Sequence, residues 1–171
     1  MSENYDNNEI DKEKKRPTFL IVLCVLSYIY IGFSFAGTLL NFTSGPATDA
    51  ELTEVKVELT KLVSQSESQG LGGMAGYIEQ SIEMTSEVNE NFYTAAFLNL
   101  IIVVVGFFAV MKMWRGAKLG FHSYIVYCLL STGGIYFYIS AANIPTPLII
   151  WNLIISGVFI LLYGLNLKWM K

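Results

Sequence analysis

Apolar residues in this chain come in long runs, and polar positions are gathered between them. Four runs, at residues 17–42, 92–114, 119–142 and 147–169, are each nearly free of charge. At roughly 20 residues or more apiece, each is long enough to cross a hydrocarbon core about 30 Å thick. The pattern predicts four transmembrane helices. Pro17 suits the first turn of a helix, where a missing N–H costs nothing. Pro145 and Pro147 close the third helix and open the fourth across a short uncharged turn at 143–146. A basic turn at 115–118 separates the second and third runs, and residues 1–16 form a polar tail without periodicity, read as disordered.

Only residues 43–91 show amphipathic spacing. Leu52, Val55, Leu59, Leu62 and Val63 recur at helical intervals with charges on the opposite face, and Thr48 or Asp49 is placed to cap their helix. Gly70-Leu71-Gly72-Gly73 breaks it. A second stripe, Met74, Ile78, Ile82, Thr85 and Val88, then runs without a breaker into the second apolar run. The prediction is an antiparallel helical hairpin between the first two transmembrane helices.

Composition agrees with this layout: 53% of residues are hydrophobic and 15% charged, against about 25% charged in ordinary soluble domains. Cys24 and Cys128 both fall inside apolar runs, where free cysteine packs as a small hydrophobe. A cleaved signal peptide would need a shorter apolar core, and the first run continues past the small residues Ser34-Phe35-Ala36 through Leu39 and Leu40. Gly32, Ala36 and Gly37 put small residues on adjoining turns, a pattern that lets a second helix approach closely. The sequon Asn41-Phe42-Thr43 sits at the membrane boundary and is expected to be unused.

Charge orients the helices. The tail with Lys12, Lys14, Lys15 and Arg16, the basic turn with Lys112, Arg115 and Lys118, and the end with Lys168 and Lys171 hold nine of eleven Lys and Arg. Residues 43–91 hold nine carboxylates and two lysines. The positive-inside rule therefore places both termini and the basic turn in the cytoplasm and the acidic hairpin outside. A formal charge of −3 averages over two compartments, and no nucleic-acid partner is expected. The lipid bilayer is the partner the pattern requires.

Candidate chemistry is sparse. No Asp, Glu, Lys or Arg lies well inside an apolar run, which argues against a proton-coupled pump. Asn99 and Asn152 are the candidate helix-packing or pore-lining polar residues. Glu79, Glu83, Glu87 and Glu90 share one helical face and form a candidate docking face. One helix face cannot wrap a cation, and no loop has the calcium-binding pattern, so no metal is expected. His122, the one histidine, lies a turn into the third run and is read as an interfacial side chain. Catalytic motifs of the H-E-x-x-H, G-x-S-x-G or phosphate-loop kind are absent. Neither an enzyme nor a cofactor is expected.

Lys15-Arg16-Pro17-Thr18-Phe19-Leu20 and Met113-Trp114-Arg115-Gly116-Ala117-Lys118-Leu119-Gly120-Phe121 resemble the juxtamembrane stretches of small, uncharacterised four-span proteins of Bacteroidota-type bacteria. The resemblance implies a bacterial inner membrane with the hairpin in the periplasm, and implies no activity. Animal tetraspanins and claudins share the four-span count, but their outer-loop cysteines are missing here. The expected fold is all-α, an integral membrane four-helix bundle with an extracytoplasmic helical hairpin between helices 1 and 2. The expected role is that of an accessory subunit docking a membrane or periplasmic protein. A homo-oligomeric channel or small-solute transporter is the alternative.

Overall fold

The computed structural model describes residues 17–171, so the tail expected over 1–16 lies outside the described residues. Every regular element among the described residues is helical. The α-helices are α1 (Thr18–Ser44), α2 (Asp49–Ser68), α3 (Gly72–Glu90), α4 (Phe92–Trp114), α5 (Lys118–Gly133) and α6 (Thr146–Gly164). Short 3-10 turns span Gly134–Phe137 and Ala141–Asn143. Among the described residues three helices, α1, α4 and α6, are long and apolar enough to cross a membrane.

Two of the expected runs end differently. The third, expected over 119–142, is α-helical only to Gly133 and then tightens into the 3-10 turn Gly134–Phe137. Two consecutive glycines weaken the α-helix there, and Gly134 lies so close to α4 that a Cβ would stand 3.2 Å from Ile102 and 3.3 Å from Leu98. The fourth, expected to reach residue 169, stops at Gly164. Asn166 caps that end by donating its side-chain N–H to the Leu162 carbonyl at 2.9 Å. The following turns carry the chain back, so that Lys118 N–H donates to the Lys171 carbonyl (3.0 Å) and Lys171 N–H to the Gly116 carbonyl (2.7 Å).

These contacts give the molecule two chemically distinct ends. At one, the basic turn meets the C-terminal residues. At the other, the α1–α2 connection, the α3–α4 junction and the α5–α6 connection are joined by side-chain hydrogen bonds.

α2 and α3 pack against each other across the turn at Gly70, whose φ of +74° suits glycine. A capping box starts α2: Thr48 Oγ1 accepts from Glu51 N–H, and the Glu51 carboxylate accepts from Thr48 N–H at 2.8 Å. The Thr48 N–H, and after it the Thr48 hydroxyl, donate to the Glu51 carboxyl and hold it below the usual carboxylate range. Val63, Ser66 and Ala75 are buried in the pair.

α1, α4, α5 and α6 contribute to one core, which includes Cys24, Val110, Met113, Tyr124, Cys128 and Tyr163. Lipid offers no hydrophobic drive between helices, so close packing and buried hydrogen bonds must hold such a core together. The small residues of α1 expected to admit a neighbour do not: Gly32 and Gly37 have open space around them, because they lie off the buried stripe Leu20, Cys24, Ser27, Ile31. Close approach is made by Gly120 of α5 instead. A Cβ there would overlap the Met113 backbone nitrogen and stand 2.7 Å from the Ala109 carbonyl oxygen. Gly106 likewise receives the Tyr127 ring, 2.7 Å from where its Cβ would be.

Candidate functional site

α1 and α6 meet near the basic end through a buried hydrogen bond, Ser27 Oγ to Tyr163 Oη at 2.9 Å. Tyr163 is fully buried and edges onto Tyr124, with ring centroids 4.8 Å apart. Beyond this contact a cavity of about 120 Å³ opens between α1, α5 and α6. Ser27, Tyr30 and Ile31 of α1, Tyr124, Tyr127, Cys128 and Ser131 of α5, and Asn152, Ser156 and Phe159 of α6 border it.

Asn152, expected as a packing or pore-lining amide, sits on this wall. Its Oδ1 accepts hydrogen bonds from Thr132 Oγ1 (3.2 Å) and Ser156 Oγ (3.4 Å). Its two N–H donors have no hydrogen-bond partner among the described residues, and neither does the hydroxyl of Ser131. Tyr127 is 7% exposed, yet its hydroxyl also lacks such a partner there and no buried side-chain polar atom is left unsatisfied. That hydroxyl therefore keeps some accessible surface, on a residue that borders the cavity.

Asn99 is placed elsewhere. It lies in the middle of α4's buried arc, among Ala95, Ala96, Ile102, Val103 and Gly106, and yet is itself exposed, without a partner among the described residues. Asn99 and Asn152 are not brought together.

The four expected docking carboxylates also divide. Glu79, Glu83 and Glu90 are exposed, whereas Glu87 is turned inward. Its carboxylate accepts from Ser140 N–H at 2.6 Å and from Asn143 Nδ2 at 2.8 Å. Asn89 pairs with both backbone groups of Ala47 (2.7 and 3.0 Å), and Asn91 Nδ2 donates to the Tyr138 carbonyl (3.1 Å). The last turn of α3 is thus clamped to both neighbouring connections. His122 is exposed on α5, its Nδ1 3.0 Å from the Lys118 carbonyl oxygen. Among the described residues no three His, Cys, Asp or Glu side chains gather where a metal would need them.

The cavity's α5 wall was missed in the sequence, although a signal exists. Tyr124, Tyr127, Cys128 and Ser131 follow i, i+3, i+4, i+7 spacing, a weakly polar stripe within an apolar helix. Asn152 and Ser156 repeat it at i, i+4 on α6.

No curated protein and no solved structure matches the chain. A family described as a domain of unknown function, DUF8777, matches residues 13–157, well over half of the sequence. The match reaches from the edge of α1 into α6 and takes in every helix that borders the cavity, so the chain belongs to the DUF8777 family.

Proposed function

We propose that this is a four-span protein of the bacterial inner membrane, with both termini cytoplasmic, which docks a partner protein through the α2–α3 pair outside. α1, α4 and α6 supply three spans by length and composition. α5 supplies the fourth only with its 3-10 extension: sixteen residues rise about 24 Å and four more about 8 Å, together close to a bilayer's hydrocarbon thickness. Lysines and arginines collected at the basic end support the orientation.

One observation carries the docking role. α2 and α3 leave large apolar side chains uncovered, among them Val55 (42%), Leu62 (44%), Met74 (54%) and Tyr77 (41%). Val55 with Leu62, and Met74 with Tyr77, recur at helical spacing outside the packed stripe, and an exposed apolar patch rimmed by charge marks an interaction site. The clamp at Glu87, Asn89 and Asn91 gives such an arm a fixed bearing on the helices below. The partner that fits is a membrane or periplasmic protein presenting an apolar patch with basic residues around it.

The test is the native mass of tagged full-length protein in mild detergent, with co-purifying proteins identified. A stoichiometric second protein, released by Leu62→Ser with Met74→Ser, is the expected result. A homo-oligomer with nothing attached, or a bare monomer, would overturn it. The homo-oligomeric channel stands as the second reading because Asn99 is an exposed amide within an apolar helix. Flux in liposomes, abolished by Asn99→Leu, is what that reading requires.

A further inference from the structure

The cavity between α1, α5 and α6 opens sideways rather than toward either end. Its rim is made by Leu26 (48% exposed) and Tyr30 (63%) of α1 and Ile155 (46%) of α6, all within the apolar lengths of their helices. Past the Ser27–Tyr163 contact the cavity lies between the two helices. What enters here therefore comes from the bilayer.

The lining dictates its chemistry. Among the described residues no Asp, Glu, Lys, Arg or His borders the cavity, so a charged head would be left uncompensated in an apolar setting. An amide oxygen has two acceptor sites, and both on Asn152 are taken by Thr132 and Ser156. What Asn152 offers an occupant is donors, and the hydroxyls of Ser131 and Tyr127 add two more. Tyr124, Tyr127 and Phe159 supply flat aromatic walls. At about 120 Å³, below the roughly 150 Å³ of a void that accepts benzene, the cavity takes one small ring at most and not a whole lipid.

We propose that the cavity binds the head of a neutral membrane lipid: one ring bearing carbonyl acceptors, whose apolar tail leaves between α1 and α6 into the bilayer. A prenylated quinone has this chemistry. The inference rests on α1 and α6 crossing the bilayer and not on the docking role, so a failed co-purification leaves it standing.

The experiment titrates full-length protein, in nanodiscs of zwitterionic lipid, with a decyl-substituted benzoquinone. Quinone retained per chain is measured alongside the thermal midpoint. Saturation at one per chain with a rise in midpoint is expected. Asn152→Leu should weaken binding about tenfold, the loss of a hydrogen bond or two in an apolar site. Ser131→Ala and Tyr127→Phe, which remove one hydroxyl each and keep the fold, should weaken it severalfold. Leu161→Ala, on the exposed face of α6, should leave it unchanged. Uptake that does not saturate, or that is equal in all four variants, would sink the proposal. So would equal competition by diolein, which has ester carbonyls but no ring.

Discussion

The indole of Trp169 lies over Gly116, so that a methyl built on Gly116 would stand 2.7 Å from Trp169 Cζ3. Gly116 also has φ of +78°, in the left-handed region. The basic turn is thereby fastened to the last residues of the chain, which hydrogen-bond to it on either side. Gly116→Ala meets both obstacles and should cost about 1–3 kcal/mol. Thermal unfolding in detergent measures it. In a Trp169→Ala background the steric part should vanish, so that Gly116→Ala costs only about 1 kcal/mol of backbone strain and the two substitutions are non-additive.

Glu87 should behave unlike the three carboxylates that share its helix face. Its two accepted hydrogen bonds, from Ser140 N–H and Asn143 Nδ2, are charge-assisted and short. Glu87→Ala should cost about 1–2 kcal/mol, discounted for its partial exposure. Amide hydrogen exchange should quicken at residues 138–144 and in the last turn of α3. Glu83→Ala, on the exposed side, should change neither.

Acid should loosen the start of α2. The Thr48 N–H and hydroxyl hold the Glu51 carboxyl below its ordinary range in the folded protein. A depressed folded pKa means the capping box contributes fully above the usual carboxylate range. Its contribution is lost as pH falls through the folded value. Hydrogen exchange over Asp49–Leu52, corrected for intrinsic rates, should show opening below about pH 4. Glu51→Gln should remove that pH dependence while keeping part of the cap.

What was legible in the sequence was whatever depends on composition over a whole helix. α4 lies where its apolar run ends, and the Thr48 cap and the break at Gly70 follow from residue types with one strong local preference. What was not legible depends on a neighbour distant in sequence. α5 gives way at two glycines where Gly134 meets Ile102, and α6 stops at Gly164, ahead of the residues that return to Gly116. In an apolar helix, periodicity cannot separate a face toward protein from a face toward lipid. Gly32 and Gly37 therefore looked like contact residues and are not, while Gly120 is. The acidic stripe was visible, yet Glu87 parts from it only because Ser140 and Asn143 come within reach. The cavity wall at Tyr127 and Ser131 needed three helices to exist at all.

Gly120 should be the least tolerant position of the α4–α5 contact. A side chain there has the backbone of Met113 and Ala109 against it as well as the Met113 side chain. Gly120→Val should separate the helices at a cost of about 3 kcal/mol or more, read as lost expression and a lowered thermal midpoint. Gly73→Ala, open on all sides, is the matched control.

The proposed four-span topology turns on α5, the one helix of the core too short by itself to cross. Lys118 and Ala142 are both exposed and flank α5 with its 3-10 extension. If α5 crosses, Lys118→Cys and Ala142→Cys must lie on opposite faces of the membrane, and Ser68→Cys must share a face with Ala142→Cys. The native Cys24 and Cys128 are buried, so they should contribute little background. In spheroplasts, a membrane-impermeant maleimide should label the Ser68 and Ala142 variants at once and the Lys118 variant only after lysis. Labelling of the Ser68 variant alone from outside would mean that α5 folds back without crossing and leaves Ala142 on the same face as Lys118. Labelling of all three would mean that neither α4 nor α5 crosses and would put the basic turn outside, against the charge bias on which the proposed orientation rests. Labelling of Lys118→Cys alone would invert the protein and put the α2–α3 pair inside, and the partner would have to be sought in the cytoplasm.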